Sequence, residues 1–308
     1  MIILSFTALV KDEVSKLDIM ETEKISELSA IVQNNYFDDV LIRITTENNS
    51  VARLTYSLFK DLFGIYPKVS VRKGYNYNKH LLYVLEIKKG IFEVYKSLGI
   101  EGLIPDEFIY ADDGLMRAYL RGVFLTKASV NDPKTSRYHL EFNLENEEYA
   151  KFILKSLNGY YLNSKFLRRE NKYVVYIKGA EKIGDFLRII GANKAVLYYE
   201  DIRIYRDHKN MTNRLNNCEQ ANVDKIIETA NEYVKNILFL KKEDVYDLLS
   251  LKEKEVCEYR IKYPDASLIE LSEIISIETG NKITKSGVYH RLNKIKNLAN
   301  KIREKKKV

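Results

Sequence analysis

The 308-residue sequence predicts an α+β domain duplicated about a pseudo-twofold, followed by a linker helix and an all-α helix-turn-helix domain. Three observations predict it. A helix with a glycine in its middle has a counterpart carrying small residues at the matching place. The same order of elements follows each of the two helices, and three helices with recognisable caps close the chain where basic charge is concentrated.

The first of these helices is read in Met116 to Pro133, MRAYLRGVFLTKASVNDP, with Tyr119, Leu120, Val123 and Phe124 at three-to-four spacing and a closing turn at Asn131, Asp132 and Pro133. A mid-helix glycine costs about 1 kcal/mol relative to alanine, so Gly122 implies that another backbone presses close. Glu27 to Tyr36, ELSAIVQNNY, offers the partner, with Ser29 and Ala30 opposite Arg121 and Gly122. After the first motif helix come a strand (Val40 to Thr46), a helix (Ser50 to Phe63), strands at Lys68 to Lys73 and Leu81 to Lys88, and a helix from Ile91 to Leu98. After the second come Tyr138 to Leu144, the helix Glu147 to Leu157, strands near Lys165 to Arg169 and Tyr173 to Lys178, and the helix Glu181 to Ile190. Glu47-Asn48 corresponds to Glu145-Asn146 at an offset of 98, and Gly64 to Gly159 at an offset of 95. A unit that buries its face only against its own copy explains such a repeat.

Two αββαββα halves joined through paired small-residue helices resemble the LAGLIDADG homing-endonuclease fold. The matching stretches are Leu28-Ser29-Ala30-Ile31-Val32-Gln33-Asn34-Asn35-Tyr36 and Leu120-Arg121-Gly122-Val123-Phe124-Leu125-Thr126-Lys127-Ala128. The resemblance implies an acid at the eighth position of each motif, binding the divalent metal that activates water. Asn35 and Lys127 stand there instead. An ammonium has no lone pair to offer a metal and an amide is a poor substitute for a carboxylate, so neither catalytic residues, a metal nor a cofactor is expected.

Composition is that of an ordinary globular chain, 45% hydrophobic and 30% charged, long enough for about two domains. The apolar opening MIILSFTALV runs straight into Lys11, Asp12 and Glu13, which suits neither a membrane span nor a signal peptide. Cys218 and Cys257, 39 residues apart, make neither a zinc site nor a disulfide framework, and a cytoplasmic location is expected. Charge is uneven. Residues 1–205 carry 29 basic and 27 acidic residues, 206–281 carry 11 and 15, and 282–308 carry 10 and 1.

In chain order, Ser5 to Leu17 reads as a first helix capped by Ser5 or Thr7. Asn76 to Lys79 reads as a polar hairpin loop, either solvated or a contact surface. Asp112 and Asp113 are expected to cap the second motif helix, and Asp132 to sit in a turn, without catalytic roles. From Arg206 a polar run becomes a helix at about Glu219, apolar at Val223, Ile226, Ile227, Ala230 and Val234. Cys218 at its mouth is expected to be a small buried packing residue, the competing reading being a thiol activated by the helix N-terminus.

The last region reads as three helices. Leu251 to Tyr263 stops at Pro264-Asp265, and Ser267 with Glu270 forms a capping box ahead of Leu271, Ile274 and Ile275. After the turn Glu278-Thr279-Gly280-Asn281, Thr284 or Ser286 caps a helix with the stripe Val288, Leu292, Ile295, Leu298 and Ile302. In helix-turn-helix logic the early positions Lys285, Ser286, Tyr289, His290 and Arg291 face base edges, and Lys294, Lys296, Lys301 and Arg303 suit phosphates. Double-stranded DNA is the expected partner, over a protein-binding bundle or a merely solvated basic tail.

Taken whole, the chain resembles the WhiA family of cell-division and sporulation regulators, on SFTALVKDEV, TENNSVARLTYSLFKDLFGI, RAYLRGVFLTKASVNDP, NRLNNCEQANVDK and ITKSGVYHRLNKI. The resemblance implies a degenerate LAGLIDADG-like domain (1–205, repeats about 20–100 and 112–205), a linker with a helix (206–245) and a helix-turn-helix (246–308). It also implies a non-enzymatic, nucleoid-associated transcription regulator of cell division, chromosome segregation and, in spore formers, sporulation. A protein partner at the duplicated domain is compatible with it. The competing reading is a metal-dependent endonuclease using carboxylates outside the motif positions.

Overall fold

The computed structural model describes residues 5–73, 81–135, 137–170 and 172–306. The hairpin loop expected at Asn76 to Lys79 lies outside them. The chain forms two compact units, Met1–Asp207 and His208–Val308.

The first unit opens with α1 (Phe6–Val14), whose N-terminus Ser5 caps by accepting the Ala8 amide at 3.2 Å. Then follow α2 (Glu21–Gln33), β1 (Tyr36–Phe37), β2 (Ile42–Thr46), α3 (Asn49–Phe63), β3 (Lys68–Lys73), β4 (Leu81–Ile87) and α4 (Ile91–Leu98). The second half repeats the order with α5 (Asp113–Lys127), β5 (Ala128–Val130), β6 (Leu140–Leu144), α6 (Glu147–Gly159), β7 (Lys165–Arg169), β8 (Lys172–Ile177) and α7 (Ala180–Ile189). Each half carries a four-stranded antiparallel sheet with one strand order, β1-β2-β4-β3 and β5-β6-β8-β7. The duplication is therefore structural as well as sequential.

Equivalent residues do equivalent work at the helix starts. Asn48 accepts the amides of Ser50 and Val51 at 2.9 and 3.1 Å, and Asn146 accepts those of Glu148 and Tyr149 at 2.8 and 3.1 Å. The glycine equivalence does not carry over. Gly64 is the left-handed cap of α3 (φ 64°), whereas Gly159 remains in α6 and the left-handed residue beyond it is Tyr161 (φ 56°).

The helices α2 and α5 lie against each other at the centre. A Cβ on Gly122 would stand 2.4 Å from the carbonyl oxygen of Glu27 and 2.7 Å from Cβ of Ala30, so only glycine admits this approach. Both motif helices stop earlier than periodicity alone predicts: Ala128–Val130 is not helical but the edge strand β5, pairing Ala128 with Phe142, and Tyr36 belongs to β1. Ladder partners on the following strand, Arg43 for Tyr36 and Phe142 for Ala128, satisfy those backbones, and a helix-period pattern does not register them. Asp112 caps α5 through the Leu115 amide, and Asp132 accepts the Lys134 amide in its turn.

The largest departure is α8 (Asn193–Lys242), a single 50-residue helix where a polar run before Glu219 was expected. The stretch contains neither proline nor glycine, so nothing in it breaks a helix. Its start is fixed from a distance: the Glu13 carboxylate of α1 accepts the amides of Lys194 and Ala195 at 2.6 and 2.9 Å. Cys218 consequently lies inside α8 and is exposed, neither a buried packing residue nor at a helix mouth. Among the described residues no helix is long and apolar enough to cross a membrane.

The second unit adds α9 (Leu251–Lys262), α10 (Leu268–Thr279) and α11 (Lys285–Lys305). Its core joins Tyr233, Ile237 and Leu240 of α8 to Val256, Cys257, Leu271, Ile275, Val288, Leu292, Ile295 and Ala299. Burial pushes the Cys257 thiol up to about 12, which makes it an inert core residue.

Candidate nucleic-acid interface

Capping defines the helix-turn-helix. Ser250 with Glu253 and Ser267 with Glu270 form capping boxes at the starts of α9 and α10. Gly280, left-handed at φ 72°, ends α10, and Thr284 begins α11 by accepting the Gly287 amide at 3.2 Å. Ser276 ties the turn by accepting the Ile283 amide at 3.0 Å.

The core stripe of α11 (Val288, Leu292, Ile295, Ala299) sets where every other side chain must go. The nine residues expected to meet DNA fall into three groups. Ser286, His290 and Lys301 lie on the exposed face with Asn297, which the sequence reading passed over although its amide is a natural adenine partner. Tyr289 is 43% exposed and meets His290 edge-on, ring centroids 5.7 Å apart.

A second group leans toward α8. Lys296 pairs with Glu232 at 2.9 Å, the Arg303 guanidinium lies 4.6 Å from the Phe239 ring, and Lys285 lines a cavity shared with α8. A third leans toward α9. Arg291 is half-buried, donates to the Lys252 carbonyl at 3.3 Å and stands 3.9 Å from Glu255. Lys294 reaches Glu253 at 2.7 Å and holds that carboxyl below its ordinary range while remaining 74% exposed itself. Arg291 thus leans toward the acidic side of α9, with 28% of its side chain still exposed.

The ends of the motif helices tell a different story. Asn35 donates to the Ile31 carbonyl at 2.9 Å and accepts the Thr45 amide at 3.1 Å, so its amide closes the helix. Lys127 pairs with Glu145 at 2.8 Å and lowers that carboxyl's pKa through the shared hydrogen bond. Each side chain is engaged in local structure. Among the described residues no three His, Cys, Asp or Glu side chains are grouped to hold a metal ion.

Strand alternation places further basic residues where the sequence reading did not look. Ile42 and Ile44 point to the core, so the cross-strand registers put Arg43, Lys68 and Arg72 on the opposite face of the first sheet. The same logic puts Lys165, Arg169 and Lys172 on the corresponding face of the second. All six are exposed. Lys68 with Lys165 and Arg72 with Arg169 occupy equivalent positions of the edge strands β3 and β7.

Family models match along most of the chain: the WhiA N-terminal LAGLIDADG-like domain at residues 21–101, the WhiA LAGLIDADG-like domain at 116–209 and the WhiA C-terminal HTH domain at 212–299. The chain belongs to the WhiA family. Curated WhiA relatives include the probable cell division protein WhiA of Enterococcus faecalis, 40% identical over 98% of this chain and 99% of its own. That of Staphylococcus aureus is also 40% identical, over 97% and 98%. The crystal structure of full-length DUF199/WhiA from Thermatoga maritima shares the fold, with a TM-score of 0.58, 24% identity and coverage of 97% of this chain and 99% of that one. The family is thus two LAGLIDADG-like halves, a long helix and a helix-turn-helix, the architecture derived above.

Proposed function

We propose that this protein is a non-enzymatic regulator of cell division that binds double-stranded DNA, with α11 in the major groove. The observation that carries the reading is the outward line of Ser286, His290, Asn297 and Lys301, exposed on a helix whose opposite stripe is the core of the unit. Surplus charge supports it, since residues 282–308 hold ten basic residues and one acid. In this reading Lys285, Lys294, Lys296 and Arg303 flank the groove and attract phosphates, exchanging their internal partners for them. Tyr289 and His290 stand near the helix start, where base edges are met.

The duplicated unit serves as a second contact surface, for DNA through the basic sheet faces or for a protein partner. Its motif ends perform no cleavage, because Asn35 and Lys127 are engaged where carboxylates would be needed. The finer role is transcription regulation in the cytoplasm at the nucleoid, bearing on chromosome segregation and, in spore formers, sporulation. The cell-division assignment draws on the names of the curated relatives.

Genome-wide immunoprecipitation followed by anisotropy titration of the enriched duplexes tests the reading. The full chain should prefer them to random DNA, and the log–log salt slope should reflect several phosphates at about 0.9 each. Equal affinity for both would sink sequence-specific regulation. Magnesium- or manganese-dependent nicking of plasmid by the purified protein would restore the endonuclease reading.

A further inference from the structure

The second unit contains a cavity of about 400 Å³ that the DNA-binding reading does not use, between α8, the start of α10 and the start of α11. That size lies within the range of small-molecule sites. Its walls are apolar where Ile226, Ala230, Leu268 and Ile269 meet the ring of Tyr233. Set into them is Arg260, which is 1% exposed.

Arg260 has an unusual set of partners for a buried cation. Nη1 donates to the carbonyls of Tyr263 and Pro264 at 3.3 Å and of Ala266 at 2.5 Å, and Nε has no partner. Among the described residues it forms no ion pair; Asp265 and Tyr233 act on it only through space, and burial pulls its pKa below the ordinary range. Buried charges are normally paired, since the desolvation penalty is several kcal/mol. Two more cations, Lys225 and Lys285, line the same cavity, and both are exposed. Three positive groups therefore line an apolar space, and among the described residues its lining holds no carboxylate.

We propose that this cavity is a binding site for a small anionic amphiphile, a carboxylate or phosphate monoester carried on an apolar body. The anion meets Arg260, Lys225 and Lys285, and the apolar part lies along Ile226, Ala230 and Leu268. Because Lys285 begins the recognition helix, an occupied site engages a cation that otherwise attracts DNA; this coupling rests on the DNA-binding reading, whereas the site does not.

The test is calorimetric titration of the full chain, without DNA and at constant ionic strength, using octanoate, octyl phosphate, octylamine and inorganic phosphate. Saturable one-to-one binding of octanoate or octyl phosphate is expected, and which of the two binds tighter identifies the anion. Octylamine should not bind. Inorganic phosphate should bind at least about tenfold more weakly than octyl phosphate, for want of the apolar contact. Lys225→Glu with Lys285→Glu should weaken binding about tenfold or more, and Ile226→Trp, which fills the mouth from an exposed position, should abolish it while leaving the melting temperature in place. Equal binding of octylamine, or an unchanged response in the double charge reversal, would overturn the proposal. So would inorganic phosphate binding as tightly as octyl phosphate, which would make the cavity a seat for a DNA phosphate. Competition is read separately: octyl phosphate should raise the Kd for DNA, and loss of that effect with calorimetric binding intact overturns the coupling alone.

Discussion

Among the described residues each compact unit buries one arginine, and the two are satisfied in opposite ways. In the duplicated unit Arg121 of α5 meets the Glu27 carboxylate of α2 through Nε at 3.1 Å and Nη2 at 3.4 Å, both side chains almost fully buried. In the helical unit Arg260 meets carbonyls alone and keeps a free Nε. The first arrangement is closed: its charge has a permanent partner, at the residue next to the glycine that lets the helices touch. Burial nevertheless pushes the Glu27 carboxyl up against the pull of Arg121, so the pair is an orienting device more than a source of stability. The second is open, with part of its bonding capacity unspent. A buried charge with a partner locks a structure, and one without marks a place where something can still be added.

The sharpest way to break the comparison is to remove one member of the closed pair. Arg121→Met leaves the Glu27 carboxylate buried and unmatched, and should cost about 3–5 kcal/mol in chemical denaturation. Glu27→Gln added to it should recover most of that loss. If the double variant is no more stable than the single, the pair is not what the two residues contribute.

Gly122→Leu comes next. The closest atom to its Cβ is backbone and cannot swing aside, so a loss of about 3 kcal/mol, at the upper end of ordinary overpacking, is expected as a lower melting temperature. Melting alongside the parent would mean that α2 and α5 do not approach as described. Arg260→Met should cost less, about 1–3 kcal/mol, because it removes hydrogen bonds to carbonyls without stranding an opposite charge. A loss as large as that of Arg121→Met would show that Arg260 is as closed as its counterpart.

The smallest effects concern the surface of α11. Lys301→Ala should weaken binding to all duplexes alike and lower the salt slope by about 0.9. His290→Ala should instead narrow the gap between specific and random duplexes, by about 1 kcal/mol if one base contact is lost. Arg291→Ala, facing α9, should alter stability more than sequence preference. Anisotropy titrations at several salt concentrations, paired with thermal melts, separate the three; identical behaviour of Lys301→Ala and His290→Ala would refute the assignment of the outward face.

By itself the sequence determined the duplication, the shared order of the longer elements in its two halves, and the caps of the last helices. These are local or periodic signals: Glu47-Asn48 recurs as Glu145-Asn146 before the equivalent helix, Ser267 with Glu270 closes a box within four residues, and a glycine opposite Ala30 announces a close approach. That Asn35 and Lys127 stand where the LAGLIDADG resemblance implies acids is likewise a reading of the sequence alone, because a side chain's capacity to ligate a metal belongs to its chemistry. Only the tertiary structure decided which side chains are already engaged. Arg291 and His290 are adjacent in the sequence, yet one faces α9 and the other faces outward, since the core stripe of α11 fixes the rotation of the helix. The start of α8 depends on Glu13, 181 positions from Lys194, and the cavity lined by Arg260 gathers residues from four separate helices. Those features arise from contacts between distant segments, and a linear pattern carries no term for them.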